Sequence, residues 1–277
     1  MRFDFSKFLN KPKTIVIKVG SARVSGDKVS VQDFLFDLTS AIRNLRQINI
    51  SVILVSSGAI AQGKTIQSVA SEPSLSEKQA LAALGQNRLM NLYEGYFSRA
   101  NLKIGQILFG KNDIMNEMGR ANLKNTFAKL LDWQIIPIVN ENDSVSTEEL
   151  NLGDNDLLSA LVSGLVGADM LLILTSVPGF MINETKLDWA KAIDNAMKQK
   201  ALGPSGPGTG GMATKLRAAE FLLEHGIPTF ILPGNENQSI ERLFNGENLG
   251  TLFWNPNFAK TNPTIEELGN FFFPSKE

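Results

Sequence analysis

Apolar runs of strand length alternate with segments of helical spacing along this chain, and that alternation restricts the fold more than any other property. Thr14–Val19, Ser51–Val55, Lys103–Phe109, Ile135–Val139, Met170–Leu174 and Thr229–Leu232 read as buried strands. Between them, Val31–Ile48 carries apolar residues at helical spacing (Phe34, Leu35, Leu38, Ile42, Leu45) behind Ser30 as an N-cap. Ser76 and Gln79 form a capping box ahead of a helix running to about Ala100. Further helices are expected over 117–132, 154–166, 187–199 and 213–225. The pattern predicts an α/β fold with a mostly parallel central sheet, covered on both faces. In such sheets ligands bind beyond the carboxyl ends of the strands.

Those ends are unusually polar. Strand one runs into Lys18-Val-Gly-Ser, strand two into Ser56-Ser-Gly-Ala59, and Ile135–Val139 into Asn140-Glu-Asn-Asp-Ser144. Met170–Leu174 ends in Thr175-Ser176, and Gly153-Asp-Asn-Asp156 opens a helix. The stretch Gly208-Thr-Gly-Gly-Met-Ala-Thr-Lys215 is a glycine-rich turn running directly into a helix. Its glycines let backbone approach a ligand, the helix N-terminus offers free N–H groups, and Lys215 adds a full charge; together these parts make a phosphate site. Pro204-Ser-Gly-Pro207 already supplies a loop there, so the glycines and lysine come in addition.

Composition removes several chemistries. The chain has 277 residues with no cysteine and one histidine, His225, which stands before Gly226 and Pro228 as helix C-terminal residues do. Zinc sites, disulfides and Ser-His-Asp catalysis are disfavoured, leaving lysines, carboxylates and backbone amides to carry the chemistry. A net charge of −1 gives no bulk attraction to nucleic acid or anionic membrane. No signal-peptide pattern and no apolar run of roughly 18 residues is visible, so a cytoplasmic protein is expected. Gly58-Ala-Ile-Ala-Gln-Gly-Lys-Thr65 satisfies the P-loop pattern, but Ala, Ile, Ala and Gln favour a helix over a phosphate-wrapping loop. Ala59–Ile66 therefore reads as helix and Lys64 as solvated.

The motifs at Lys18, Val55–Ala59, Val139–Ser144, Gly153–Ala160 and Gly208–Lys215, in that order, carry a resemblance. From about Lys13 to Phe253 the chain resembles glutamate 5-kinases, of the amino acid kinase family. The resemblance implies the amino acid kinase fold, an open α/β/α sandwich with a mostly parallel central sheet, with an N-lobe (about 13–167) for the amino acid and a C-lobe (about 168–253) for ATP. The tail 254–277 would be an extension, without the RNA-binding-like C-terminal domain that many of these enzymes carry. It implies ATP-dependent phosphorylation of the L-glutamate side chain, the first step of proline synthesis. Lys18 and Lys215 would flank the transferring phosphoryl group, with Asp156 holding both. Ser57, Gly58, Asn140, Asp143, Asp154 and Asn155 would bind glutamate, and Lys18, Thr175, Ser176, Thr209, Gly210, Gly211, Met212, Ala213, Thr214 and Lys215 the nucleotide. Mg²⁺ would arrive on the ATP phosphates, with no protein metal site. The family usually has Asp where Ser176 stands. A homo-oligomer, dimer or tetramer, is implied, and the next enzyme of proline synthesis is a candidate partner.

The residue chemistry agrees with such a reaction. A glutamate carboxylate, with a pKa near 4.3, is ionised at neutral pH and attacks phosphorus without a general base. Phosphoryl transfer then requires positioning and charge neutralisation. Another amino acid kinase, such as acetylglutamate kinase, stays open as an alternative. A neutral acetamido group would not need the acid-rich Asn140–Ser144 loop. A non-catalytic sensor of the same fold also stays open, although a sensor does not require two lysines and an aspartate at these positions.

Overall fold

The computed structural model describes residues 12–146, 155–202 and 211–272. In chain order the elements are β1 (Thr14–Val19), α1 (Ala22–Ser25), α2 (Lys28–Gln47), β2 (Ser51–Ser56), α3 (Ala59–Lys64), α4 (Leu75–Phe97), β3 (Ile104–Phe109), α5 (Lys111–Met115), α6 (Glu117–Asp132) and β4 (Ile136–Glu141). They continue with α7 (Asn155–Val166), β5 (Met170–Thr175), β6 (Met181–Ile182), β7 (Thr185–Lys186), β8 (Trp189–Ala190), α8 (Asn195–Ala201), α9 (Met212–Glu224), β9 (Thr229–Pro233), α10 (Ser239–Phe244), β10 (Thr251–Phe253) and α11 (Ile265–Phe272).

Eight strands form one sheet in the order β3-β4-β2-β1-β5-β9-β10-β8, and β6 and β7 make a separate antiparallel hairpin. The first six strands are parallel, and β10 runs antiparallel to β9. From β1 the chain moves to β2 on one side, and it later returns to place β5 on the other. The β1/β5 boundary is thus the switch point at which sheets of this type open a crevice.

Both faces are covered. Alternate residues of β1 separate as the pleat requires: Ile15, Ile17 and Val19 join a core under α2, α4 and α10, while Val16 joins a core under α6, α7 and α9. Lys18 follows Val16 at the two-residue period, so its side chain belongs to the α7/α9 face. A third cluster packs α8 and α9 around Phe180, Ile231 and Phe253.

Several local expectations shift. The N-cap of α2 is Asp27, whose Oδ1 accepts from Val29 N and Ser30 N at 3.1 Å each, and not Ser30. The capping box of α4 is Ser74 with Glu77, two residues before the expected pair. In both cases a carboxylate at the helix start gains from the dipole what a hydroxyl or amide cannot. The stretch 187–199 is not one helix. Trp189–Ala190 pairs with β10, Trp189 Nε1 donates to the Trp254 carbonyl at 2.9 Å, and α8 starts only after Asp194 caps Met197 N at 2.8 Å.

The described part of the tail packs onto the sandwich. Leu268 is buried among the residues of the α6/α7/α9 core, and Phe271 stacks on Phe221 with centroids 4.2 Å apart. Lys260 Nζ lies 2.6 Å from Asp169 Oδ1, while Asp169 Oδ2 accepts from Thr14 N at the start of β1.

Candidate active site

The carboxyl ends of β1 and β5 meet the first turns of α7 and α9, and three charges meet there. Lys18 Nζ lies 2.7 Å from Asp156 Oδ1, and Lys215 Nζ lies 2.8 Å from Asp156 Oδ2. Lys18 is 5 % exposed, Lys215 6 % and Asp156 0 %. Burial by itself would raise the Asp156 pKa, but the two ammonium groups outweigh it and hold the carboxyl below its usual range. Among the described residues, two buried cations face one anion at this spot. That is an environment for a phosphoryl group.

Helix α9 adds its N-terminus to the same place. Gly211 is its N-cap, and Thr214 Oγ1 donates to Asp156 Oδ2 at 3.0 Å. Met212, Ala213 and Thr214 are half-buried in the first turn. Thr175 ends β5 with its carbonyl accepting from Gly234 N at 2.6 Å, and Ser176 is exposed just beyond it. Asp154, Thr209 and Gly210 lie outside the described residues.

A second group of side chains extends from the triad toward β4. Asn155 Nδ2 donates to Ser57 Oγ at 2.7 Å and to Asn140 Oδ1 at 3.0 Å. Asn140 Nδ2 donates in turn to Gln86 Oε1 of α4 at 3.0 Å. Ser57 N donates to the Val19 carbonyl at 3.1 Å, which ties the end of β2 to the end of β1. Gly58 follows at φ 117°, and a methyl built on it would sit 2.5 Å from Val24 Cγ2, so a residue with a side chain is excluded there. Asp143 lines a cleft with Gln86, Glu141 and Ser144. Burial, with the charge of Glu141 beside it, pushes the Asp143 carboxyl up to about 7.

The P-loop-like stretch is helix. Gly58 is the N-cap of α3, Lys64 is exposed, and a methyl on Gly63 would lie 2.1 Å from the Leu81 carbonyl oxygen. Gly63 therefore serves a close crossing with α4 and not a phosphate. His225 follows α9 as its C-cap, with Nδ1 3.1 Å from Thr261 Oγ1 and its ring edge-on to Phe221, a structural role.

The amino acid kinase family matches residues 13–233 of this sequence. The chain belongs to the amino acid kinase family. Relatives of this amino acid kinase include proteins named glutamate 5-kinase. The one from Geobacter metallireducens is 40% identical over 88% of this chain and 68% of its own length. The one from Clostridium tetani is 38% identical over 91% of this chain and 98% of its own length. Among solved structures, the carbamate kinase from Giardia lamblia bound to AMP-PNP superposes with a TM-score of 0.62 at 18% identity, covering 89% of this chain and 99% of the other. An N-acetylglutamate synthase from Neisseria gonorrhoeae gives a TM-score of 0.65 at 18% identity, covering 92% of this chain and 62% of the other. Both show the amino acid kinase fold.

Sequence reasoning singled out neither Gln86 nor Glu141. Gln86 carries no local signal in the sequence, and only the packing of α4 turns it toward Asn140. Glu141 lies inside the quoted acid-rich loop without a role of its own there; it is buried and accepts from Ser146 Oγ at 3.0 Å.

Proposed function

We propose that this amino acid kinase transfers the γ-phosphoryl group of ATP to the side-chain carboxylate of L-glutamate, giving L-glutamyl 5-phosphate and ADP. This is the first step of proline synthesis. The observation that carries the chemistry is the Lys18–Asp156–Lys215 arrangement at the switch point of the sheet. The names of the relatives carry the substrate.

A glutamate carboxylate oxygen attacks the γ-phosphorus, the new O–P bond forms, and the bond to the β,γ-bridging oxygen breaks as ADP leaves. The attacking group is already ionised, so the chain supplies no base. Lys18 and Lys215 stand on the two sides of the transferring group and neutralise the charge on its oxygens. Asp156 keeps both ammonium groups aimed from one fixed point. Lys18 comes from the amino-acid half and Lys215 from the nucleotide half, so the phosphoryl group crosses between lobes of about 13–167 and 168–253. Gly211, Met212, Ala213 and Thr214 offer the start of α9 to the nucleotide phosphates, with Thr209 and Gly210 before them and Thr175 and Ser176 alongside. Mg²⁺ carried by those phosphates adds further charge neutralisation.

Ser57, Gly58, Asn140, Asp154 and Asn155 hold the zwitterionic end of glutamate, and Asp143 pairs with its ammonium. The acid pair Glu141 and Asp143 suits a cationic amine and disfavours a neutral acetamide. The enzyme is read as a cytoplasmic homo-oligomer. Among the described residues no helix is long and apolar enough to cross a membrane.

The test supplies purified chain with ATP, Mg²⁺ and either glutamate, acetylglutamate or no acceptor, and traps acyl phosphate with hydroxylamine. Glutamate-dependent hydroxamate is the expected result. Product from acetylglutamate alone, or ATP binding with no product, overturns the reading.

A further inference from the structure

Gln86 is the outermost member of a chain of side-chain hydrogen bonds that runs through Asn140 and Asn155 to Ser57, the residues proposed to hold the zwitterionic end of glutamate. Its Oε1 accepts from Asn140 Nδ2 at 3.0 Å, Asn140 Oδ1 accepts from Asn155 Nδ2 at 3.0 Å, and Asn155 Nδ2 also donates to Ser57 Oγ at 2.7 Å. Asn155 immediately precedes Asp156. Each amide here has one donating and one accepting end, so the orientation of one member sets the orientation of the next.

We infer that Gln86 is a positioning residue for the amino-acid substrate, fixing the amide orientation of Asn140 and, through it, the amide of Asn155 and the hydroxyl of Ser57. The inference rests on the function proposed above. With the oxygen of Gln86 facing Asn140, both hydrogens of Asn155 Nδ2 are committed to protein. Asn155 Oδ1 is then presented as an acceptor and the Ser57 hydroxyl hydrogen as a donor. That polarity suits a zwitterion, with the acceptor for its ammonium and the donor for its carboxylate. Asn140 is only 3 % exposed, so water does not replace an acceptor it loses. If Asn140 turned its amide over, its NH₂ would face the NH₂ of Asn155, donor against donor, and the site would present the wrong polarity.

The backbone is built to bring Gln86 to this place. The preceding residue is Gly85, where a methyl group would lie 1.8 Å from the Ala59 carbonyl oxygen and 2.4 Å from Gly63 N. Only glycine lets α4 press this closely against α3. That contact sets Gln86 beside Ala59, the residue after Gly58, in the cleft that also holds Glu141 and Asp143. A half-buried glutamine serving packing alone would not need its amide oxygen aimed at another buried amide.

The test compares Gln86→Met, which keeps length but removes the acceptor, with Gln86→Glu, which keeps an oxygen toward Asn140. Both are assayed with the full chain at about pH 8.5, where Asp143 stays ionised, by hydroxamate formation and by calorimetric titration with ATP. Gln86→Met is expected to raise the glutamate KM on the order of tenfold, while the ATP Kd stays within about twofold. Gln86→Glu is expected to keep the glutamate KM within about threefold of the parent. An unchanged glutamate KM in Gln86→Met overturns the inference, as does an equal loss in both variants. Loss of ATP binding along with glutamate binding also overturns it, because Gln86 then supports the fold and not the acceptor site. The unmodified chain separates this from the reading beneath it: no glutamate-dependent product there overturns the proposed function itself, and the inference with it.

Discussion

Lys18 Nζ and Asp156 Oδ1 lie 2.7 Å apart across the boundary between β1 and α7, and the second oxygen of the same carboxylate holds Lys215 at 2.8 Å. One buried anion therefore fixes the separation of two buried cations. Removing that anion is costly because each ammonium has given up water to be there. Asp156→Asn is expected to lower stability by about 3–5 kcal/mol and to abolish measurable turnover, because the lysines lose both charge balance and aim. Urea denaturation followed by fluorescence, with the hydroxamate assay on the same preparation, reads both effects. A stable variant with more than a few per cent of parent activity contradicts the role given to Asp156.

In the proposed reaction Lys215 acts on charge that develops during transfer. Lys215→Ala is expected to cut kcat on the order of a thousandfold while leaving the ATP Kd within a few-fold, since the helix N-terminus and the remaining contacts still bind phosphate. Equal losses in kcat and in ATP affinity would assign Lys215 to ground-state binding instead.

Asp143 gives the site a pH dependence of known sign. Burial, with the neighbouring Glu141 charge, raises its carboxyl to about 7, so the neutral form dominates below that pH and the ionised form above it. Pairing with an ammonium needs the ionised form. The ratio kcat/KM for glutamate should rise as pH increases through about 7, by about tenfold per unit on the acid side, and then level off. For the fold the sign is opposite. The raised pKa favours the protonated native state, so Asp143 subtracts stability as pH rises from the unfolded value near 3.9 through about 7. In Asp143→Asn the acid limb should vanish and the glutamate KM should be high at every pH, with the ATP KM nearly unchanged. An acid limb that survives this substitution assigns the titration to another group.

The crossing of α3 and α4 separates the P-loop-like pattern from its usual meaning. Lys64→Ala should leave kcat within about twofold, because Lys64 is exposed. Gly63→Ala should instead destabilise the fold by about 1–3 kcal/mol, since its methyl would meet the Leu81 carbonyl oxygen. Thermal melts and turnover of the two variants decide this directly. A Lys64→Ala enzyme without activity restores the phosphate reading.

The strands were legible because their residues are apolar on both faces, as a parallel sheet buried on both sides requires. Thr14–Val19 matched to the residue, and helix 117–132 did too. The short strands β8 and β10 were not legible: they hold two and three residues, and their pairing partners lie far away in sequence. Helix starts slipped by two or three residues where two capping residues stood close together, as at Asp27 against Ser30 and Ser74 against Ser76.

Lys18, Asp156 and Lys215 stood out in the sequence because each lies near the end or the start of a regular element with a glycine or a polar run beside it. Sequence alone determined the layered α/β architecture and the identity of the charged residues at its strand ends, because periodicity and local backbone chemistry are properties of neighbours along the chain. The family resemblance implied that Asp156 holds both lysines; only the tertiary structure decided the 2.7 and 2.8 Å contacts by which it does so, that Gly63 and Gly85 serve a helix crossing, and that Gln86 reaches Asn140. Those facts depend on which elements lie side by side in the sheet and how closely their backbones approach. That order is set by packing between residues far apart in the chain, which no local pattern records.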